Sequence, residues 1–335
     1  MNCGLSEPGT LPRLSVVTLA RGSRSMASSE RSSFTTIKSH KTNRIKEMMN
    51  KPNISKAFSI ACIFAMLLVP ASADPGNSKK LRVVAYNVAC GQWATPEQIG
   101  ELLQPLNPDI VLLSEVPKAN RGKKVKDWSL RLAEALGLGH VHVGNVSSAG
   151  HKSPKWGDRT GNYGGKFKSI LSRTPLTECK DIAVEGSGWK RANPVRAVTV
   201  IGGQKFALYS LHLPGFAHHK KPRTKVEAWE GSKHKSLADH IKAEDESSHV
   251  IVGGDFNEWT DSLVMKHLLK EATLENATKE QSVDNVLYSP KNSLELIESK
   301  RDWGPKNQNK TNLKADGCLS DHPWVYAEFE FEGTD

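Results

Sequence analysis

Hydrophobic residues recur along this chain in two rhythms, and the switches between them outline its elements. Leu81–Val88 (LRVVAYNV) and Asp109–Val116 (DIVLLSEV) are short apolar runs with β-branched residues, which read as buried strands. Between them, Thr95-Pro96-Glu97 opens a helical pattern in which Ile99, Leu102, Leu103 and Leu106 share a face. Trp128, Leu132, Ala135 and Leu136 predict a second amphipathic helix, stopped by Gly137 and Gly139, and His140–Val146 predicts a short alternating strand. The polar, glycine-rich stretch from Ser147 to Lys166 reads as a long loop, a feature that compact domains use for function or motion.

Strands resume at Lys168–Arg173, Val195–Ile201 and Lys205–Leu213, and Gly202-Gly203 predicts a tight hairpin between the last two. The basic, histidine-rich residues 216–245 predict a loop leading into one helix over Lys225–Ala243. A strand at His249–Gly253, a helix near Ser262–Lys270, short strands near Val283–Ser289 and a closing strand at Trp324–Phe331 complete the pattern. Strands outnumber helices and hairpin-like pairs dominate. An α/β layered fold with mixed or antiparallel sheets therefore fits better than a purely parallel one. There is no repeat at a fixed period and no interdomain linker.

The first 73 residues behave differently. Residues 1–48 are rich in Ser, Thr, Arg and Lys without apolar periodicity, as in a disordered leader, a transit peptide or sequence upstream of a true start at Met48 or Met49. Residues 49–73 then carry Lys51 and Lys56, an apolar stretch from Ala57 to Val69, and Ala71-Ser72-Ala73. That order predicts a secretory signal peptide cleaved after Ala73, since the apolar stretch is well short of the roughly 20 residues a membrane span needs. Export, with no stable membrane anchor afterwards, is the expectation.

Cleavage changes the charge argument. The whole chain carries +10, but the leader holds ten Lys+Arg and three Asp+Glu, leaving 36 basic against 33 acidic residues, or +3. Global charge is thus weak support for a nucleic-acid partner. The remaining cysteines, Cys90, Cys179 and Cys318, are odd in number and lack metal-like spacing, so this is no disulfide scaffold.

Candidate chemistry lies where strands end. The first strand delivers Asn87, the second Glu115, the hairpin strand His212, and VIVGGDFN delivers Asp255 and Asn257. SVDNVLYS carries Asp284 near its start, and Asp321-His322 immediately precede the last strand. Each alone has an ordinary explanation as a cap, turn or core residue. Together they form an oxygen-rich set with histidines, which suits a hard cation (Mg²⁺, or Mn²⁺ or Ca²⁺) and phosphoester hydrolysis.

The ordered strings YNV, LLSEV, ILSRTPL, LHL, GGDFN, SVDNVLYS and SDHP resemble the endonuclease/exonuclease/phosphatase superfamily over about residues 81–331. The resemblance implies one domain over 74–335, built as a four-layer α/β/β/α sandwich of two packed mixed sheets flanked by helices. It also implies roles: Glu115 as main metal ligand helped by Asn87, with Asp321 near that metal or a second one. Asp255 would orient or deprotonate the attacking water, Asn257 would hold that water or a phosphate oxygen, and Asp284 would pair with a phosphate-contacting His322. His212 in SLHLPG argues against the abasic-site endonuclease branch.

The chain departs from the family at YGGKFKS, where Lys168 stands about where an asparagine is common, and at Asn285, where His, Tyr or Arg is frequent. Lys168 and Arg196, the latter matching a frequent family arginine, are candidates for substrate binding, with a structural salt bridge as an equal alternative for Arg196. Lys220 and Lys221 follow His212 closely and are candidates for holding substrate phosphates, with a solvated loop as the plain alternative. The expected protein is an exported, monomeric, metal-dependent phosphoesterase, a nuclease or related phosphodiesterase. A phosphomonoesterase of inositol or sugar phosphates, or a non-catalytic secreted binding protein on the same fold, are the alternatives.

Overall fold

The computed structural model describes residues 80–118, 127–147, 163–215, 225–291, 294–303 and 317–334. The leader and signal peptide, Lys220 and Lys221, and most of the stretch expected to form the long loop lie outside the described residues. None of the helices described is long and apolar enough to cross a membrane.

In chain order the elements are β1 (Lys80–Asn87), α1 (Pro96–Leu103), β2 (Ile110–Lys118), α2 (Trp128–Leu136), β3 (His140–Val143), β4 (Tyr163–Ser172) and β5 (Thr177–Asp181). There follow β6 (Val195–Ile201), β7 (Gln204–His212), α3 (Lys225–Glu230), α4 (Lys233–Lys242) and β8 (His249–Asp255). The chain ends with α5 (Leu263–Glu271), β9 (Glu275–Asn276), β10 (Asp284–Tyr288), β11 (Glu295–Asp302) and β12 (Trp324–Glu330).

Local chemistry explains the boundaries. Thr95 and Gln98 form a reciprocal capping box that starts α1, with Pro96 in the first turn where no amide partner is needed. Gly137 closes α2 at φ +68°. Gly202 and Gly203, at φ +54° and +76°, make the predicted two-residue hairpin, because that turn needs left-handed backbone at both positions. The single helix expected over Lys225–Ala243 is instead two, because Ser232 caps a fresh helix by accepting from the Lys235 amide.

Two six-stranded mixed sheets pack face to face. Their orders are β11-β12-β1-β2-β4-β3 and β5-β6-β7-β8-β10-β9, with β1–β2 and β7–β8 parallel and the other pairs antiparallel. Leu81, Val83, Ala85, Leu112, Ile170, Leu208, Ile251 and Val286 fill the space between the sheets. A second core, around Tyr86, Leu113, Trp128 and Leu132, seals α1 and α2 onto one sheet, and a third, around Tyr209, Leu237, Val252 and Leu268, seals the helices onto the other. The architecture is the α/β sandwich that the resemblance implied.

Gly253 and Gly254 do not end their strand, as the sequence pattern suggested; β8 continues through them to Asp255. A Cβ on Gly253 would lie 2.6 Å from Leu112 Cδ1 and 3.0 Å from Ala85 Cβ, so this glycine lets the two sheets approach. Gly254, at φ +138°, takes a conformation that other residues rarely adopt.

Candidate active site

Strand parity delivers the polar residues to one place. In β1, β7, β8 and β10 the residues on the inter-sheet face are Val83-Ala85, Phe206-Leu208, Ile251 and Val286. Stepping by two along each strand reaches Asn87, His212, Asp255 and Asp284, all buried. The site is thus the polar continuation of the inter-sheet core at one edge. Register brings the same residues together: Asp255 pairs with Asp284 across β8–β10 and with His212 across β7–β8.

Glu115 breaks parity, and a bulge explains how. Leu113 pairs with Ser169 and Val116 with Phe167, so Ser114 and Glu115 together face the single residue Lys168. Leu113 and Val116 both pack under the helices. The bulge therefore absorbs one residue and re-aims Glu115, whose φ is +54°. Such backbone is uncommon for a side chain of this size and is tolerated where the surroundings enforce it.

Contacts converge on Asp255. Its Oδ2 accepts from Asn87 Nδ2 at 3.1 Å and lies 3.5 Å from His212 Nε2 and 3.9 Å from His322 Nε2. Its Oδ1 accepts from the Asn257 amide at 2.8 Å. His322 Nδ1 sits 2.8 Å from Asp284 Oδ2, and the histidine is held in place by Ser320, whose hydroxyl accepts from the His322 amide and donates to Asn87 O. Asn257 donates its side-chain amide to Leu213 O at 2.9 Å, bracing the segment after β7. Asp321 is exposed, beside but outside this buried group.

Electrostatics differentiates the groups. Burial, reinforced by Asp284, pushes Asp255 up to about 7. Burial opposes a charge on His322, but the Asp284 carboxylate, its hydrogen bond and Asp255 outweigh that and carry its pKa up to about 10. Burial instead wins at His212, lowering it to about 3 against the pull of Glu115, so this imidazole is neutral near pH 7. Trp189 packs edge-on against it, with ring centroids 4.7 Å apart. Burial also works against ionisation of Glu115, but His212 and Lys166 outweigh it and leave its pKa lowered.

Lys166 is the residue that the sequence pattern missed. Its ammonium donates to Glu115 Oε1, while Cys90 Sγ donates to Oε2 at 3.2 Å. The expected loop hid it: β4 starts at Tyr163, and Lys166, Lys168 and Ile170 alternate onto one face. Extending the alternation of Ile170 backwards by two steps of two would have found it. Lys168 itself is buried, donates to Val146 O at 3.4 Å, and is lowered to about 8 by burial.

Arg196 belongs to a different cluster. Its guanidinium meets Glu244 at 2.6 and 2.7 Å and Glu178 at 3.1 Å, the salt bridge that was the alternative to substrate binding. Among the described residues Cys90, Cys179 and Cys318 form no disulfide, and the first and last are buried.

The residues present fit a divalent cation. Asp255, Asp284 and His322 bring potential ligand atoms within 4.8 Å of one another; with His322 protonated, the two carboxylates are the donors of this group, and Asp284 Oδ1 is buried with no hydrogen-bond partner. Glu115 adds an ionised carboxylate, and an oxygen-rich set of this kind suits a hard cation. The metal residues implied by the resemblance were Asn87, Glu115 and Asp321; of these, Glu115 faces His212 within the site and Asp321 is exposed beside it. Asn87 Oδ1 already accepts from the Ala89 amide at 3.0 Å.

Comparison with known proteins gives one family. The family model described as "Endonuclease/Exonuclease/phosphatase family" matches residues 84–322. Among curated proteins none matches the chain. Among solved structures, the chain is similar to an endonuclease/exonuclease/phosphatase from Beutenbergia cavernae DSM 12333, at 17% identity and TM-score 0.53, covering 76% of this chain and 72% of that one. A family protein from Leptotrichia buccalis C-1013-b gives 15% and 0.54, over 75% of this chain and all (100%) of the other. The human Nocturnin catalytic domain, solved with a bound sulfate anion, gives 18% and 0.54, over 76% and 95%. At these identities the three likenesses speak for the fold.

Proposed function

Because the chain belongs to the endonuclease/exonuclease/phosphatase family, whose members hydrolyse phosphoester bonds, we propose that it is a divalent-cation-dependent phosphodiesterase acting on nucleic acid or a related phosphodiester. The observation that carries this reading is the convergence of Asn87, His212 and His322 on one oxygen of Asp255, beside Glu115.

In this reading Asp255 takes the proton of the attacking water. Burial keeps it basic enough to do so near neutral pH, and Asn87 and the Asn257 amide fix its orientation. His322, protonated against Asp284, offers positive charge to the phosphoryl oxygens as they gain negative charge in the transition state. Neutral His212 contributes an N–H to the same edge, held by Trp189. Glu115, helped by Asn87, would hold the cation, with Asp321 nearby. When bound, that ion polarises the phosphoryl group and offsets its charge. Lys220 and Lys221, outside the described residues, stay candidates for holding substrate phosphates. Export follows from reading residues 49–73 as a signal peptide, and N-terminal sequencing of secreted protein would find Asp74 first.

The test is turnover of DNA, RNA, bis(p-nitrophenyl) phosphate, inositol phosphates and mononucleotides by purified protein, with Mg²⁺ and with EDTA. Diester cleavage that EDTA abolishes is the expected result. Hydrolysis restricted to monoesters would move the assignment to a phosphomonoesterase. No turnover of any phosphoester would leave a binding protein on this fold.

A further inference from the structure

Glu115 reaches the site already carrying a cation of the chain's own. Lys166 donates to Oε1, the same oxygen that faces His212 Nε2 at 3.5 Å, so Oε1 is the corner of the carboxylate turned into the site. The other corner, Oε2, is occupied by the Cys90 thiol. Both side chains of the ion pair are largely buried, Glu115 at 10% and Lys166 at 24% exposure, so solvent screens the pair less than it would a surface one.

The placement is built in by the backbone. Lys166 lies one residue before Phe167, whose pairing with Val116 closes the bulge that turns Glu115 inward. The Lys166 amide is tied to Ser147 Oγ at 2.8 Å, which fixes the root of the side chain. Cys90 belongs to a run of three residues, Ala89 to Gly91, all at positive φ, which carries its thiol to Oε2. Three separate pieces of backbone therefore converge on this one carboxylate.

We propose that Lys166 is an internal counter-ion that competes with the divalent cation for Glu115, and so sets how tightly the site binds that cation. The proposal rests on Glu115 being a cation ligand, as in the function proposed above. Physically, an ammonium on the ligand oxygen satisfies the carboxylate before any ion arrives. It also repels an approaching divalent ion, and the repulsion grows with the ion's charge. The chain thereby keeps a buried carboxylate ionised, at the cost of weaker cation binding. Lys166 acts through Glu115 and is thus a positioning residue.

Calorimetric titration of Mn²⁺ into the purified protein, with Lys166→Gln and Lys166→Arg alongside, tests the idea without any activity assay. The glutamine variant is expected to bind Mn²⁺ about tenfold more tightly or better, following from the lost repulsion. The arginine variant, which keeps the charge, is expected to stay near wild type. Equal or weaker Mn²⁺ affinity in Lys166→Gln overturns the proposal and leaves Lys166 a structural ion pair. Circular dichroism melts confirm that each variant titrated is folded. If wild type hydrolyses diesters in a Mn²⁺-dependent way while Lys166→Gln shows unchanged affinity, only this inference falls. If wild type neither binds Mn²⁺ nor turns over, the proposed function falls with it.

Discussion

Two buried clusters of charge in the same molecule have opposite characters. Around Arg196, one guanidinium is matched by Glu244 in a two-pronged pair, by Glu178 and, through Glu244, by the Tyr209 hydroxyl. Around Asp255, two carboxylates face each other across one strand pair with a single protonated histidine between them, and Asp284 Oδ1 is left without a partner. Burial raises carboxylate pKa in both places. At Glu244 the Arg196 hydrogen bond, with that from Tyr209, outweighs it and the pKa is lowered; at Asp255 a second carboxylate adds to it. The cluster that braces the fold is balanced, whereas the one proposed to take a cation and a phosphate is left acidic. The excess acid is what marks the site, more than the presence of charge.

The largest effect expected from this contrast is on catalysis. Asp255→Asn and His322→Ala should each reduce diester turnover by about 10³-fold, the usual range for a lost acid–base or charge-stabilising group. Asp255→Asn should cost little stability, because it removes a carboxylate that its neighbours already disfavour, whereas His322→Ala leaves the buried Asp284 without its cation and should lower Tm as well. Steady-state kinetics together with thermal melts would decide the point. An Asp255→Asn protein that loses Tm in proportion to activity would mean that the acidic cluster is structural after all.

Arg196→Ala should do the reverse. Removing the cation from a largely buried pair leaves Glu244 charged and unmatched, which costs about 3 kcal/mol and lowers Tm on the order of 10 °C. Turnover per folded molecule should stay within about twofold of wild type, since surviving molecules keep an unaltered site. A selective rise in KM without a fall in Tm would return Arg196 to substrate binding.

Most of this organisation was legible in the sequence for a simple reason. Buried strands are apolar by necessity, so the polar residues that end them stand out, as Asn87, His212, Asp255 and Asp284 do. What escaped notice lacks that contrast. The strands β5 (TECKD) and β11 (ELIESKRD) are largely solvent-facing edge strands, whose polar residues give no apolar rhythm. Lys166 was concealed because the strand begins among glycines that read as loop. The bulge at Ser114–Glu115 depends on pairing with a strand some fifty residues away (Glu115 to Lys166 spans 51), and no local pattern encodes it. Nor could spacing show that Asn257 would brace Leu213 O with its side-chain amide.

The smallest predicted effect is also the sharpest comparison, because the two clusters should respond to pH with opposite sign. Glu244 has a folded pKa below its ordinary 4.5, so its contribution to stability is present above that value and is lost as pH falls through the lower one. Asp255 is raised from 3.8 to about 7, so between those values the folded protein keeps a proton that the unfolded chain has released. Its contribution is therefore present in acid and is lost as pH rises through that window. His322, raised from 6.5 to about 10, contributes a constant amount below pH 6.5 and does not intrude there. In EDTA, the Tm advantage of wild type over Glu244→Gln should hold steady from pH 6.5 to about 4.5 and erode below it. Over the same descent Asp255→Asn should lose ground against wild type, and regain it as pH returns toward neutrality. Parallel curves for the two variants would show that the acidic cluster is as well matched as the one around Arg196, and the contrast between them would collapse.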